Sequence, residues 1–286
     1  MAAYLPPRGA ADCHVHVIGP KARFPLIKTR SYTPMDAPTA ALAAMLKRSG
    51  LDRVVLVQPS FYGIDNACLR DCLAALPNSR AVAVLPADVP GAALDDMHRR
   101  GVRGLRVNIA TAGTASLDVM SDDIAAAAKL AARNGWHVQI FVPSAVLAPL
   151  APTLRALPVA TVVDHFGLIA PDADDEALAT LVALLDSGKT WVKISAPYRI
   201  AADVADPRID VLARRLCAAN PDRVVWGSDW PHTPRHDIRK PGEAEELPFQ
   251  DIDTKGLLAL VPRWLGDDAL VERVLVTNPE RLYGFT

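Results

Sequence analysis

The feature that most constrains this chain is an alternation of short β-branched runs with alanine- and leucine-rich segments of helical periodicity. Such alternation is typical of βα units around a parallel sheet. The β-branched runs predict eight strands, at 12–17, 53–59, 81–86, 103–109, 136–142, 160–166, 190–196 and 223–229. The intervening segments predict helices near 38–49, 66–76, 90–100, 121–134, 144–156, 175–187, 208–219 and 255–264, with another near the C-terminus. Eight strand and helix pairs predict an α/β fold, the (β/α)8 TIM barrel.

The length of the chain agrees with one barrel. Its 286 residues slightly exceed the roughly 250 that a typical barrel needs, so we expect a single domain over 1–286. Two long stretches without periodicity, 18–37 and 231–254, are predicted to be loops. Loops of this length are usually functional lids or disordered segments, and the sequence does not choose between these.

Charge and composition exclude several kinds of partner. Lys and Arg number 31 against 32 Asp and Glu, a net charge of -1, so no overall field attracts nucleic acid or anionic lipid. No apolar run approaches the roughly 20 residues of a membrane span, and the N-terminus does not read as a secretory signal. The four cysteines lack C-x-x-C spacing and are interpreted as reduced thiols. We expect a cytoplasmic protein with a small-molecule partner, and the oligomeric state stays open.

His14 and His16 lie in the first predicted strand. Because side chains on a strand alternate between its two faces, these histidines are expected to share one face, with Cys13, Val15 and Val17 on the other. An H-x-H pair alone is a weak signal. Its meaning depends on whether other polar residues reach the same place.

Polar residues do recur at the C-terminal ends of the predicted strands, where the active sites of such barrels lie. They are Ser60, Arg106, Asn108, Asp164, His165, Lys193, Ser195, Arg199, Asp229 and His232. A carboxylate such as Asp229 among imidazoles can accept a proton from water or hold a metal. Arg106 and Arg199 offer planar forks suited to carboxylates, whereas Arg103, Asp164 and Lys193 are interpreted as members of structural pairs. This convergence predicts an enzyme site.

Several motifs extend over nearly the whole chain. They are Asp12-Cys13-His14-Val15-His16, Gly101-Val102-Arg103-Gly104, Val163-Asp164-His165, Trp226-Gly227-Ser228-Asp229-Trp230-Pro231-His232 and Asn278-Pro279-x-Arg281-Leu282-Tyr283. With these motifs the chain resembles the amidohydrolase superfamily, in its amidohydrolase-2 branch. Within that branch it is most similar to the 2-pyrone-4,6-dicarboxylate hydrolase group of lactonases.

The resemblance implies a hydrolase that opens the lactone ring of a carboxylated small molecule from aromatic degradation. It implies Asp229 as the general base that activates water, with His14, His16 and His165 binding and polarising the lactone carbonyl. Candidate substrate-binding residues are Tyr32, Ser60, Arg106, Asn108, Arg199 and His232. Of these, Tyr32, Arg106 and Arg199 match positions that hold substrate carboxylates or neighbouring oxygens.

Two departures from the group indicate a different substrate. Where the pyrone hydrolases carry a second arginine after the fourth strand, residues 108–113 contain no cation, and Phe141 stands in place of their tyrosine. Hydrogen bonds to charged groups contribute roughly 1.5 to 3 kcal/mol each, so a dicarboxylate would bind poorly. A lactone with one carboxylate, or a sulfonated or sugar-acid lactone, fits better.

The resemblance implies that no metal is required. Metal-using members of the superfamily add a histidine at the end of the fifth strand, and residues 139–143 contain none. The sequence therefore predicts no cofactor, with one zinc or manganese ion on His14, His16 and Asp229 as the alternative. The functions left open are a metal-dependent decarboxylase or carboxylester hydrolase, a lactone isomerase, and a non-catalytic small-acid binding protein.

Overall fold

The structure is a computed structural model that describes residues 4–110, 116–234, 242 and 244–286. Its ten strands in these ranges are β1 (Ala11–Val15), β2 (Thr33–Pro34), β3 (Arg53–Val57), β4 (Ser79–Ala83), β5 (Val102–Asn108), β6 (His137–Phe141), β7 (Thr161–Val163), β8 (Thr190–Ser195), β9 (Val224–Gly227) and β10 (Glu246–Leu247). Eight of them form one parallel sheet in the order β1-β3-β4-β5-β6-β7-β8-β9. The predicted (β/α)8 barrel is confirmed.

Helices connect the strands and cover the outside of the barrel. They are α1 (Thr39–Ser49), α2 (Ala67–Ala75), α3 (Gly91–Arg99), α4 (Leu117–Ala132), α5 (Leu147–Ala156), α6 (Glu176–Asp186), α7 (Pro207–Ala219), α8 (Thr254–Ala259), α9 (Val261–Leu265), α10 (Asp268–Glu272) and α11 (Asn278–Tyr283). Asp175 and Asp206 cap α6 and α7 by accepting backbone N–H groups of the first turn. Such caps satisfy donors that a helix leaves unpaired at its start. None of these helices is both long and apolar enough to cross a bilayer.

The barrel closes where the ends of β1 and β9 meet. The Asp229 N–H donates to the His14 carbonyl at 2.8 Å, and the His16 N–H donates to the Trp230 carbonyl at 2.8 Å. A Cβ on Gly227 would lie 2.7 Å from the Cβ of His14. Only glycine permits this close approach, which brings His14 and Asp229 together.

Asp12 also joins the two strands at this seam. Its Oδ1 accepts the His14 N–H at 3.1 Å and the Ser228 N–H at 2.9 Å. The carboxyl is fully buried, and burial raises its pKa to about 6 despite these bonds. The seam that positions the candidate site therefore contains a group that resists ionisation.

The predicted segments exist, but several of their ends differ. The predicted strand 160–166 ends at Val163, because His165 and Phe166 adopt positive φ of 52° and 54°. The predicted helix 121–134 begins earlier, at Leu117, because the Ser116 hydroxyl accepts the Val119 N–H. The predicted helix 255–264 is divided into α8 and α9.

The alternation expected for the first strand is wrong at Cys13. Pairing between β1 and β3 shifts register between Asp12 and Val15. Cys13 consequently packs with Val55 and the other residues of the barrel interior, whereas Val15 belongs to the outer core.

The two long predicted loops contact each other. β2 pairs in parallel with β10, and Ile18 bridges to Ala37. Lys21 lies 3.2 Å from the Asp36 carboxylate and 2.6 Å from that of Glu246. The pairing of β2 with β10 and the ion pair between Lys21 and Glu246 join 18–37 to the second loop, whereas the Ile18–Ala37 and Lys21–Asp36 contacts lie within the first loop. Residues 235–241 and 243 of the second loop lie outside the described residues.

Candidate active site

A small cavity at the C-terminal ends of the barrel strands contains most of the predicted site residues. It is lined by His16, Tyr32, Ser60, Arg106, Asn108, His165, Arg199 and Asp229, together with Pro59, Phe61, Phe141 and Thr233. His14 is fully buried beside Asp229. His232 is not part of the lining.

Asp229 is the residue on which the three histidines converge. Its Oδ1 lies 3.3 Å from Nε2 of His16, 3.7 Å from Nε2 of His14 and 3.9 Å from Nε2 of His165. Among the described residues Oδ1 has no hydrogen-bond donor, although it is buried. This oxygen is therefore placed to accept a hydrogen bond from a molecule inside the cavity.

The other carboxylate oxygen of Asp229 is held by two neighbours. Oδ2 accepts Arg199 Nε at 2.9 Å and Nη2 at 2.6 Å, and it accepts the Tyr198 hydroxyl at 2.9 Å. Burial alone would raise the pKa of Asp229, but the adjacent guanidinium of Arg199 outweighs it and holds this pKa well below its usual range. Asp229 is thus ionised. Arg199 also donates to Thr233 Oγ1, so its fork is largely occupied within the protein.

The hydrogen-bond partner of His16 indicates which of its nitrogens carries a proton, whereas the hydroxyl partner of His165 permits either tautomer. His16 Nδ1 lies 2.8 Å from the Val57 carbonyl, which can only accept, so neutral His16 presents a bare Nε2 to the cavity. His165 Nδ1 lies 2.8 Å from Ser195 Oγ. Burial lowers the pKa of His165 to about 3, so the ring is neutral. When the Ser195 hydroxyl donates to Nδ1, Nε2 of His165 carries a proton and faces the cavity as a donor.

A buried polar network supports these residues from within the barrel. Lys193 donates to Gln139 Oε1 at 2.7 Å, and Gln139 Nε2 donates to Asp164 Oδ2 at 3.0 Å. His14 Nδ1 lies 3.2 Å from Asp164 Oδ1 and 3.3 Å from Lys193 Nζ. Burial raises the pKa of Asp164, but His14 and Lys193 outweigh it and hold this pKa well below its usual range. The network fixes the ring of His14 in the interior, where its Nε2 faces Asp229.

Arg106 brings a guanidinium to the opposite side of the cavity. Its Nη1 donates to the Gln58 carbonyl at 3.4 Å, and its Nη2 lies 3.6 Å from Asp164 Oδ2. Nε is buried with no partner among the described residues. The guanidinium also lies 5.6 Å from the ring centre of Phe141. These long contacts leave Arg106 able to bind an anion in the cavity.

Tyr198 was not among the residues selected from the sequence, and His232 contacts it without being part of the described cavity lining. His232 Nε2 lies 2.8 Å from Thr254 Oγ1, and its Nδ1 lies 3.3 Å from the Tyr198 hydroxyl. His232 therefore supports Tyr198, which in turn contacts Asp229. Tyr198 could have been selected from the sequence, because it carries a phenol, directly precedes Arg199 and follows the end of a predicted strand.

His14, His16 and Asp229 also fit a divalent metal ion. One ligand atom from each lies within 4.8 Å of the others. The separations of 3.3 and 3.7 Å from Asp229 Oδ1 to the two Nε2 atoms are close to the ligand spacing of about 3.4 Å in tetrahedral zinc sites. Nε2 of His14 and Oδ1 of Asp229 are both buried without partners in the described chain. His14, Asp164 and His165 form a second such group.

The barrel and the arrangement around Asp229 are those of a barrel hydrolase. The family model described as Amidohydrolase matches residues 11–285. The chain therefore belongs to the amidohydrolase family.

Characterised relatives and solved structures cover nearly the whole chain. The 2-pyrone-4,6-dicarboxylate hydrolase of Comamonas testosteroni is 34% identical over 97% of this chain and 90% of its own length. The 4-sulfomuconolactone hydrolase of Rhizobium radiobacter is 33% identical, covering 97% and 91%. An apo structure from Agrobacterium tumefaciens shares the fold with a TM-score of 0.82 at 24% identity, covering 99% and 98%. A zinc-bound amidohydrolase from Burkholderia multivorans also shares the fold, with a TM-score of 0.69 at 20% identity and coverage of 97% and 99%.

Proposed function

We propose that this protein is a lactonase that hydrolyses the ring of a small lactone carrying one carboxylate. The observation that carries the proposal is Asp229, an ionised carboxylate whose Oδ1 has no donor among the described residues and lies within 3.9 Å of three imidazole nitrogens. Two relatives that match 97% of the chain are lactone hydrolases by name.

In the proposed mechanism, Asp229 acts as the general base. A water between its Oδ1 and the Nε2 atoms of His14 and His16 donates a proton to Asp229 and attacks the lactone carbonyl. The Nε2–H of His165 stabilises the oxyanion that forms. The tetrahedral intermediate then collapses, the bond from the carbonyl carbon to the ring oxygen breaks, and Asp229 returns its proton to that oxygen. Because the pKa of Asp229 is low, its protonated form is a strong donor for this last step.

Arg106 is the proposed carboxylate-binding residue. It lines the cavity and its Nε has no partner in the part of the chain that the structure describes, whereas Arg199 binds Asp229 and Thr233. A guanidinium binds a carboxylate through paired N–H donors, and a sulfonate would fit the same donors. Tyr32, Ser60 and Asn108 line the same cavity and are proposed to contact neighbouring substrate oxygens.

We propose that the reaction requires no metal ion. Arg199 and Tyr198 already bind the Asp229 carboxylate and offset the negative charge that a cation would need. If an ion binds, His14, His16 and Asp229 would hold it, and it would act as a Lewis acid that also lowers the pKa of bound water. Elemental analysis, with activity before and after chelation, tests this point: activity retained in metal-free protein is expected, and its loss with recovery on adding zinc or manganese would contradict it.

The substitution Asp229→Asn tests the proposed base. We expect kcat for lactone hydrolysis to fall by about a thousandfold, because general-base catalysis contributes roughly 10² to 10⁴. The measurement is acid release from a lactone panel, with circular dichroism to verify the fold. Asp88→Asn, on the exposed surface, is the matched control. Because Arg199 loses its counter-ion in this variant, His165→Gln provides a second test, and full activity in either folded variant would refute the mechanism.

Solvent labelling separates hydrolysis from isomerisation. A hydrolase incorporates one oxygen from labelled water into the new carboxylate, whereas a lactone isomerase moves the acyl group with no net uptake of water. We expect oxygen-18 in the product.

The four cysteines are free and buried, which agrees with the cytoplasmic location that we propose.

A further inference from the structure

A second cavity lies next to the catalytic cavity and continues it towards solvent. Its volume is about 540 Å³, within the range of about 300 to 1,000 Å³ typical of small-molecule sites. Phe141 and Arg199 border both cavities. We call this second cavity the groove, and it provides room for a part of the substrate that the small catalytic cavity cannot contain.

Apolar side chains form most of the groove wall. They include Phe141, Pro143, Leu168, Ile200, Ala201 and Ala202. Phe141 is buried, whereas Pro143 and Ala202 are exposed, so the groove leads from the interior to the surface. A wall of this kind favours an apolar ligand group, since burying apolar surface is favourable.

The polar side chains in the groove wall are engaged within the protein. The Tyr198 hydroxyl and the Arg199 fork bind Asp229. Gln250 Nε2 donates to the Thr233 carbonyl at 2.9 Å. A ligand would compete with the protein for these donors, so the wall favours an apolar substituent over a polar one.

Phe141 connects the groove to the reacting centre. Its ring lies 5.6 Å from the Arg106 guanidinium and 5.2 Å, centre to centre, from the ring of His165. A lactone with its carboxylate on Arg106 and its carbonyl near His165 therefore lies against Phe141. Its remaining substituent then has the groove as the adjoining space.

We infer that the substrate is a lactone monocarboxylate with an alkyl or aryl substituent that occupies the groove. This inference rests on the proposed lactonase function and specifies its substrate class. It excludes a second charged group on the substituent, because the described groove wall offers such a group only Arg199, which already binds Asp229.

Binding of non-hydrolysable analogues tests the inference independently of turnover. The probes are tetrahydrofuran-2-carboxylates with hydrogen, methyl, n-propyl, phenyl or carboxymethyl at C5, measured by calorimetry with the wild-type protein. Each buried methylene contributes about 0.8 kcal/mol, or roughly fourfold in Kd, so n-propyl is expected to bind roughly fiftyfold more tightly than hydrogen. The carboxymethyl compound is expected to bind no better than the unsubstituted acid.

Two variants of the wall locate the effect. Ala201→Phe fills the groove and Ile200→Asn makes it polar, so each should reduce the ratio of Kd between the unsubstituted and n-propyl acids by about tenfold or more. Ala179→Phe makes the same change on the exposed surface of α6 and should leave the ratio unchanged. If Ala201→Phe does not fold, the ratio measured with Ile200→Asn still tests the groove.

The outcomes separate the inference from the proposed function. Equal Kd values across the series, or a ratio unchanged in both wall variants, would overturn the groove as the substituent site. A graded series that depends on Ala201 and Ile200, with no turnover of the corresponding lactones, would support the groove and overturn the lactonase proposal.

Discussion

At the scale of single residues, the unequal engagement of the two arginines determines what the cavity can bind. The Nε and Nη2 groups of Arg199 bind Asp229. Within the described residues, Arg106 makes long contacts and its Nε has no partner. Both residues could be selected from the sequence as candidate carboxylate ligands. Their different roles depend on side-chain distances that no sequence pattern contains.

Arg106→Gln should weaken binding of a carboxylated lactone. We expect its KM to rise by about tenfold to a hundredfold, because a hydrogen-bonded contact to a charged group is worth roughly 1.5 to 3 kcal/mol. The same lactone with a carboxamide in place of the carboxylate is the control substrate, and its KM should change little. Equal losses on both compounds would show that Arg106 acts on the fold or on Asp164 instead.

At the scale of elements, the seam between β1 and β9 places the site residues. The H-x-H pattern, the glycine at 227 and Asp229 are visible in the sequence, and the strands were predicted to within a few residues. The register shift between Asp12 and Val15 was not predicted from the sequence. Such a shift depends on hydrogen bonds between strands that are far apart in the chain, and local periodicity cannot report it.

Asp12→Asn should change how stability depends on pH. Burial raises the pKa of Asp12 from 3.8 to about 6, so the unfolded chain gives up this proton at a lower pH than the folded chain. The cost to the folded state is absent below about pH 4, grows as the pH rises and is complete above about pH 6, reaching about 3 kcal/mol at 1.36 kcal/mol per unit. Asparagine carries no charge and can still accept the N–H groups of His14 and Ser228.

The measurement is the free energy of unfolding in urea at pH 4 and pH 7.5. Relative to wild type, Asp12→Asn should gain about 2.5 kcal/mol between these two pH values, because a small part of the cost is already present at pH 4. Asp88→Asn is the surface control and should show no comparable change. A difference between variant and wild type that is independent of pH would contradict the raised pKa.

At the scale of the whole molecule, the two ends of the barrel differ in structure: one contains the cavity and the other is filled by packed aromatic side chains. The end opposite the site is packed by the C-terminal residues Tyr283 and Phe285, which join the interior cluster of Val55, Val82 and Val225. Arg53 and Arg80 cover the Phe285 ring, at 5.5 and 4.9 Å from its centre. In barrels of this kind, residues at the end opposite the active site contribute mainly to stability.

Tyr283→Ala should therefore lower stability without altering the site. We expect a loss of about 3 to 5 kcal/mol in the free energy of unfolding, as for other buried aromatic truncations, with KM unchanged in the folded protein. Tyr283→Phe is the matched control. The Tyr283 hydroxyl is buried without a partner among the described residues, so its removal should be neutral or stabilising. Urea unfolding and steady-state kinetics on the same preparations measure both effects, and a KM shift in Tyr283→Ala would contradict the separation.

The sequence by itself determined the barrel, because alternating strand and helix periodicities recur eight times and a parallel sheet of that length closes on itself. It also determined which residues stand at the ends of the strands. The tertiary structure alone decided that His232 supports Tyr198 outside the cavity, that Arg199 is the counter-ion of Asp229, and that an apolar groove continues from Phe141. These features arise from contacts between side chains on different strands and loops. The distances of these contacts are set by packing of the whole barrel, and the periodicity of the sequence does not report them.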